Sequence, residues 1–156
     1  MSQAVIEQNG AASVTGLLLP LTDRTLLVPN VALAELITYR APQTQPGMPA
    51  WLLGQIAWRD LRLPLLSFEA ASDGRAEVSP GARVIVVNAL GGRPNVKFFA
   101  LLVQGIPRSL KVGDDLKRLD VPLAPLELDA VDLGDAHARI PDLAALEQKL
   151  ADSGLI

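Results

Sequence analysis

A chain of 156 residues with 49% apolar content can bury a substantial core, and a net charge of −3 argues against nucleic acid or an anionic membrane as partner. The fourteen basic residues are scattered along the chain instead of clustered. The absence of cysteine excludes a disulfide framework, a thiolate nucleophile and a zinc–thiolate site.

Residues 1–13 are polar or alanine-rich and lack the basic start and apolar centre of a signal peptide, so they read as a loose tail before a single domain over 14–156. Val14 to Leu21 (VTGLLLPL) reads as a strand, Thr22-Asp23-Arg24 supplies turn chemistry, and Thr25 to Val28 returns. Asn30 is placed to cap a helical turn running to about Leu36, and Ile37 to Arg40 reads as strand again. A proline-rich connector, Ala41 to Pro49, leads into Pro46 to Phe68 (PGMPAWLLGQIAWRDLRLPLLSF). In this stretch Leu52, Leu53, Ile56 and Trp58 mark one strand, Arg59-Asp60 a tight turn, and Leu61 to Phe68 the return, bent where Pro64 interrupts its ladder. About five short strands in the first 70 residues suit a small barrel.

The polar segment Glu69 to Gly81 marks a boundary between lobes. Arg83 to Leu90 (RVIVVNAL) is β-branched enough to be buried on both faces, and Val96 to Val103 returns antiparallel after a glycine-rich turn. Ile106 to Val112 is a further strand, Gly113 to Arg118 is solvated, and Leu126 to Leu133 alternates so as to leave one wet face. The chain closes with a strand, Ala136 to Ile140, and a helix that Pro141 opens, with Leu143, Leu146 and Leu150 along one side and Gly154 as terminator. The echo between Arg62-Leu63-Pro64 and Arg139-Ile140-Pro141 is compatible with a duplicated lobe. No apolar run approaches the roughly 20 residues that span a bilayer, so a soluble protein is expected.

Catalytic chemistry is sparse. His137 is the only histidine and has no evident partner to orient it as a general base. Glu127, Asp129, Asp132 and Asp135 lack the order and turn glycine of a calcium loop and read as a solvated strand face. Gly91-Gly92 precedes a strand and so offers no helix N-terminus to a phosphate, while Trp51 and Trp58 read as packing residues. No cofactor or metal is expected. Arg59, a long cation at a hairpin tip, is the residue that packing leaves unexplained.

The order of Val28-Pro29, Glu35-Leu36, the Pro46 to Ile56 run, Arg59 and Leu63-Pro64 resembles the CheW family of chemosensory adaptors, and RVIVVN, FFALLVQG and the strand through Leu110 continue the likeness. The resemblance covers roughly Val14 to Leu150 and is strongest over residues 27–68. It implies an all-β fold with a C-terminal helix: two five-stranded SH3-like barrels packed together, one lobe over about 14–70, the other over 82–140, and the helix over 141–152. It also implies a cytoplasmic, catalytically silent protein that couples a chemoreceptor's cytoplasmic tip to a CheA-type histidine kinase. On this resemblance Arg59, with Tyr39 and Pro42, belongs to the kinase contact, and Leu33, Glu35, Val84, Ala100 and Ile106 line the receptor groove between the lobes.

The chain departs from the family pattern at Ala57-Trp58-Arg59-Asp60, where Asn-Leu-Arg-Gly is usual, and at Ser67, where aspartate is common. Asp60 lacks glycine's freedom at positive φ, which predicts a changed turn and a pairing with Arg59 or Arg62. The final strand is less apolar than closure of a second barrel calls for. Such variation suits a specialised adaptor, for instance in a type IV pilus chemosensory system. A regulatory module binding another signalling protein by strand addition, and a small-ligand barrel with Glu35 and Gln104 as its polar groups, remain open on the residues alone.

Overall fold

The computed structural model describes residues 14–92, 96–113, 116–134 and 136–153, most of them in or between β-strands. Strands β1 (Val14–Pro20) and β2 (Thr25–Pro29) form an antiparallel hairpin, its turn closed by Leu21 N–H donating to Arg24 O at 2.9 Å. The helical stretch expected from Asn30 shrinks to a single 3-10 turn, Asn30–Ala32, with no side-chain cap. Strand β3 (Leu33–Thr38) begins at once, because its alternating half-buried and exposed residues pair with β6.

The hairpin of β4 (Leu52–Trp58) and β5 (Leu61–Leu66) lies where the apolar runs predicted it. Its return strand stops short of Phe68, however, because Ser67 caps a one-turn helix, α1 (Phe68–Ala71), by accepting from Ala70 N–H at 3.1 Å. The remaining elements are β6 (Arg83–Asn88), β7 (Phe98–Val103), β8 (Arg108–Val112), β9 (Lys117–Arg118), β10 (Glu127–Asp132), β11 (His137–Pro141) and α2 (Leu143–Asp152). Pro141 ends β11 and does not open the helix; Asp142 caps α2 by accepting from Ala145 N–H at 2.9 Å. The expected terminator, Gly154, lies outside the described residues.

The strands form two sheets, ordered β8-β1-β2-β11-β10-β9 and β3-β6-β7-β5-β4. Their membership interleaves along the chain. One sheet joins the first hairpin to β8 and the last strands, and the other is built from the middle of the chain. The long-range pairings decide this: β2 lies parallel to β11, β1 antiparallel to β8, and β5 parallel to β7. Both sheets curl. β8 and β9 stand at opposite ends of their sheet yet are separated only by residues 113–116, and the continuation of β3 returns to the far edge of the other sheet through a bridge between Gln43 and Gln55.

Three apolar clusters follow from this arrangement. The central one lies between the sheets and joins Leu17, Leu19, Leu26 and Val28 to Leu66, Phe68, Ile85, Phe99 and Leu101, with Leu143, Leu146 and Leu150 of α2 sealing it. The other two fill the concave sides of the sheets. Strand β6 is buried on both faces, as its composition predicted: Ile85 and Val87 face the central cluster, Val84 and Val86 the interior of the five-stranded sheet. Each such side chain contributes about 1.5–3 kcal/mol on burial.

Buried carboxylates stitch the pieces together. Glu69 of α1, 0% exposed, accepts from Thr22 N–H at 3.0 Å, Thr22 Oγ1 at 2.8 Å and Gln104 Nε2 at 3.3 Å. Glu147 of α2 accepts from the amides of Leu90 at 2.7 Å and Gly91 at 2.9 Å. Among the described residues no helix is long and apolar enough to cross a membrane.

Candidate functional site

The β4–β5 hairpin ends in a two-residue turn with both central residues in the left-handed region, Arg59 at φ 46° and Asp60 at φ 63°. This is the geometry of a type I′ turn, whose twist matches that of the flanking strands. It is held by the pairing of Trp58 with Leu61 despite having no glycine. Arg59 therefore projects from a fixed tip, its side chain 69% exposed.

Among the described residues Arg59 does not turn to Asp60. Its Nη2 lies 2.9 Å from Glu35 Oε1, and its guanidinium carbon sits 4.7 Å from the centre of the Trp58 ring. Trp58 Nε1 donates to the same Glu35 oxygen at 3.0 Å. Arg62 donates from Nη1 to Gln43 Oε1. The resemblance assigned Glu35 and Arg59 to separate partner surfaces, but the fold brings them into one ion pair, because β3 carries Glu35 within reach of the hairpin tip.

The connector after β3 clamps this hairpin from the side. Gln43 and Gln55 exchange main-chain hydrogen bonds at 2.8 and 2.9 Å, and Arg40 Nη2 donates to Ala57 O at 3.1 Å. The crossing requires glycine at 54, which has φ +143° and where a Cβ would lie 2.8 Å from Pro42 Cβ. Tyr39 and Pro42 are half-buried beside it, Tyr39 against the interior of the five-stranded sheet. A cleft of about 460 Å³ opens between connector and hairpin, lined by Gln43, Gln45, Met48, Gln55 and Arg62 among others.

The residues expected in a groove between lobes are dispersed. Val84 and Ala100 are both 0% exposed inside the five-stranded sheet and offer no surface to a partner. The alternation of β6 and β7 places them there. Leu33 is half-buried at the margin of the central core, and Ile106 is 63% exposed just beyond β7. Two apolar residues that sequence reading passed over are more accessible: Val31 at 81% and Leu90 at 64%. They stand on adjoining segments, since Asn88 Nδ2 donates to Val31 O at 2.9 Å and Glu147 holds the Leu90 amide. Val31 lies on the single 3-10 turn, of which only Ala32 is buried.

The acidic stretch of β10 is divided among partners. Glu127, expected on a wet face, has a side chain only 2% exposed between Arg24 Nη1 at 2.9 Å and Arg139 Nη1 at 2.7 Å. A register shift between Glu127 and Asp129 and the left-handed Leu126, φ 68°, turn it inward. Asp129 pairs with Arg118 at 2.6 Å, and Asp132 accepts from Gly134 N–H at 2.8 Å. Asp135 lies outside the described residues, and among those described no acidic or histidine cluster is arranged to hold a metal. His137 is exposed at the edge of an open cleft beside Arg24 and Arg139. In that cluster the hydrogen bond from Arg24 holds the Asp23 carboxyl below its usual range, and the same contact raises Arg24.

The chain's likeness to known proteins is consistent with this architecture. A family model for the CheW-like domain matches residues 15–149. None of the curated proteins matches the sequence. Among solved structures, the scaffolding protein TtCheW from Thermoanaerobacter tengcongensis is similar at a TM-score of 0.75, covering 92% of this chain and 93% of that one with 15% identity. At that identity the likeness is one of fold.

Proposed function

Because the chain belongs to the CheW-like domain family, matched over residues 15–149, we propose that it is a non-enzymatic chemosensory adaptor that couples a chemoreceptor's cytoplasmic tip to a CheA-type histidine kinase in the cytoplasm. The observation that carries this reading is the presentation of Arg59: a cation on a stiff hairpin, 69% exposed yet tethered to Glu35. An arginine so placed retains donors for a partner, and its planar fork loses less freedom per hydrogen bond than a lysine would. Tyr39 and Pro42, half-buried on the connector beside β4, are the further residues of the proposed kinase-binding face. For the receptor, the half-buried Leu33 and the exposed Ile106 are the apolar side chains left to contact a receptor helix, while Val84 and Ala100 serve only as packing inside the five-stranded sheet.

The test is calorimetric titration of the purified chain with a CheA-type regulatory domain and, separately, with a receptor tip. Arg59→Glu should abolish kinase binding with the fold intact, since truncating such an anchor alone costs about 2 kcal/mol or more. Unchanged affinity would remove Arg59 from the interface. Ile106→Asp should weaken receptor binding selectively; equal loss of both partners would indicate misfolding instead.

A further inference from the structure

Three groups meet at the end of β4, and one of them is buried. Trp58 is 6% exposed and its ring meets Phe98 edge-on, with centroids 4.9 Å apart. The side chains that converge on it are both charged and accessible, Glu35 at 37% and Arg59 at 69% exposure. The indole addresses each in a different way. Its N–H donates to Glu35 Oε1, the oxygen that also receives Arg59 Nη2, and its face lies against the Arg59 guanidinium. A surface ion pair alone is worth little, because two flexible side chains must be ordered to form it and water screens the charges. A charge-assisted hydrogen bond from a fixed donor and a cation–π contact with a fixed ring remove much of that disadvantage.

We infer that Trp58 is a positioning residue for Arg59, ordering the guanidinium through Glu35 and through its own ring before any partner arrives. This rests on the reading of Arg59 as a partner contact, and the test separates the two. An arginine ordered in the free protein avoids the loss of rotamer freedom on binding, which for one long side chain corresponds to an affinity gain of roughly twofold to tenfold.

The experiment combines ¹⁵N relaxation at Arg59 Nε in the free protein with calorimetry against a CheA-type regulatory domain, on the wild type, Trp58→Phe, Glu35→Ala and the double variant. Trp58→Phe keeps an aromatic ring against Phe98 and removes the indole N–H; thermal melting checks that it folds. In the wild type Arg59 Nε should be more restricted than that of the exposed Arg75. Trp58→Phe should loosen it and weaken binding about twofold to tenfold. Adding Trp58→Phe to Glu35→Ala should weaken binding by clearly less than it does alone, since the carboxylate it orients is gone. An Arg59 as mobile as Arg75 in the wild type, or one whose mobility is unchanged by Trp58→Phe, would overturn the inference. Ordering that depends on Trp58 with no binding by any form, wild type included, would uphold Trp58 as the positioning residue and overturn the kinase-coupling reading.

Discussion

Replacing Glu127 by alanine should destabilise this protein more than its place on an acidic, alternating strand suggests. The carboxylate is 2% exposed and accepts from Arg24 Nη1 at 2.9 Å, Arg139 Nη1 at 2.7 Å and the Ala124 amide at 2.9 Å. Truncation leaves three donors facing a small apolar methyl. Breaking a buried pair by removing one partner costs about 3–5 kcal/mol. Here Arg24 retains Asp23 and Ser72, and Arg139, 29% exposed, retains Pro122 O and contact with water, so the loss belongs at the lower end, about 3 kcal/mol. For a chain of this length that is a fall in Tm of about 6–12 °C. Urea unfolding followed by circular dichroism measures it directly, and Glu127→Gln, which keeps the volume and one acceptor oxygen, should lose about half as much. A loss below about 1 kcal/mol for the alanine variant would refute the reasoning, because it would mean that both guanidiniums are resolvated without penalty.

Gly54→Ala should force the connector off β4, costing about 2 kcal/mol or more and speeding hydrogen exchange at the Gln43 and Gln55 amides; unchanged protection there would contradict the close crossing. Asp60→Gly should stabilise the hairpin by up to about 1 kcal/mol in thermal or urea unfolding, since glycine relieves the left-handed strain at φ 63°; a net loss would show that the aspartate side chain contributes a contact outweighing that strain. Because Arg24 holds the Asp23 carboxyl below its usual range, the folded protein binds this proton less readily than the unfolded chain does. The stabilisation from Asp23 is then complete above the unfolded value of about 3.9 and is lost as pH falls through the lowered folded value, so Asp23→Asn should flatten part of the acid limb of a stability–pH profile. An acid limb identical to that of the wild type would count against the pair.

Much of the β framework was legible because it depends on residues close together in the chain. The β4–β5 hairpin follows from two apolar runs around Arg59-Asp60, the double burial of β6 from its β-branched composition, and α2 from the spacing of Leu143, Leu146 and Leu150. Alternation and turn chemistry act within a few residues, so a single sequence contains them in full. The hairpin-tip arginine was legible in the same way, since a long cation at a two-residue turn has nothing local to bury it. Some of the errors were local too: Ser67 as a cap and the early start of β3 hinge on single hydrogen bonds and pairings that composition only biases.

What the sequence by itself determined, then, is which segments extend, where they turn, and that Arg59 stands at an exposed tip. Only the tertiary structure decided that the first hairpin joins the last strands, that Ala100 is interior, that Glu127 is buried between two arginines, and that Glu35 belongs to Arg59 and Trp58. The physical reason is distance along the chain. Parallel pairings such as β2 with β11 and β5 with β7, and ion pairs between remote strands, depend on how curled sheets bring far segments together, and no local period encodes that choice.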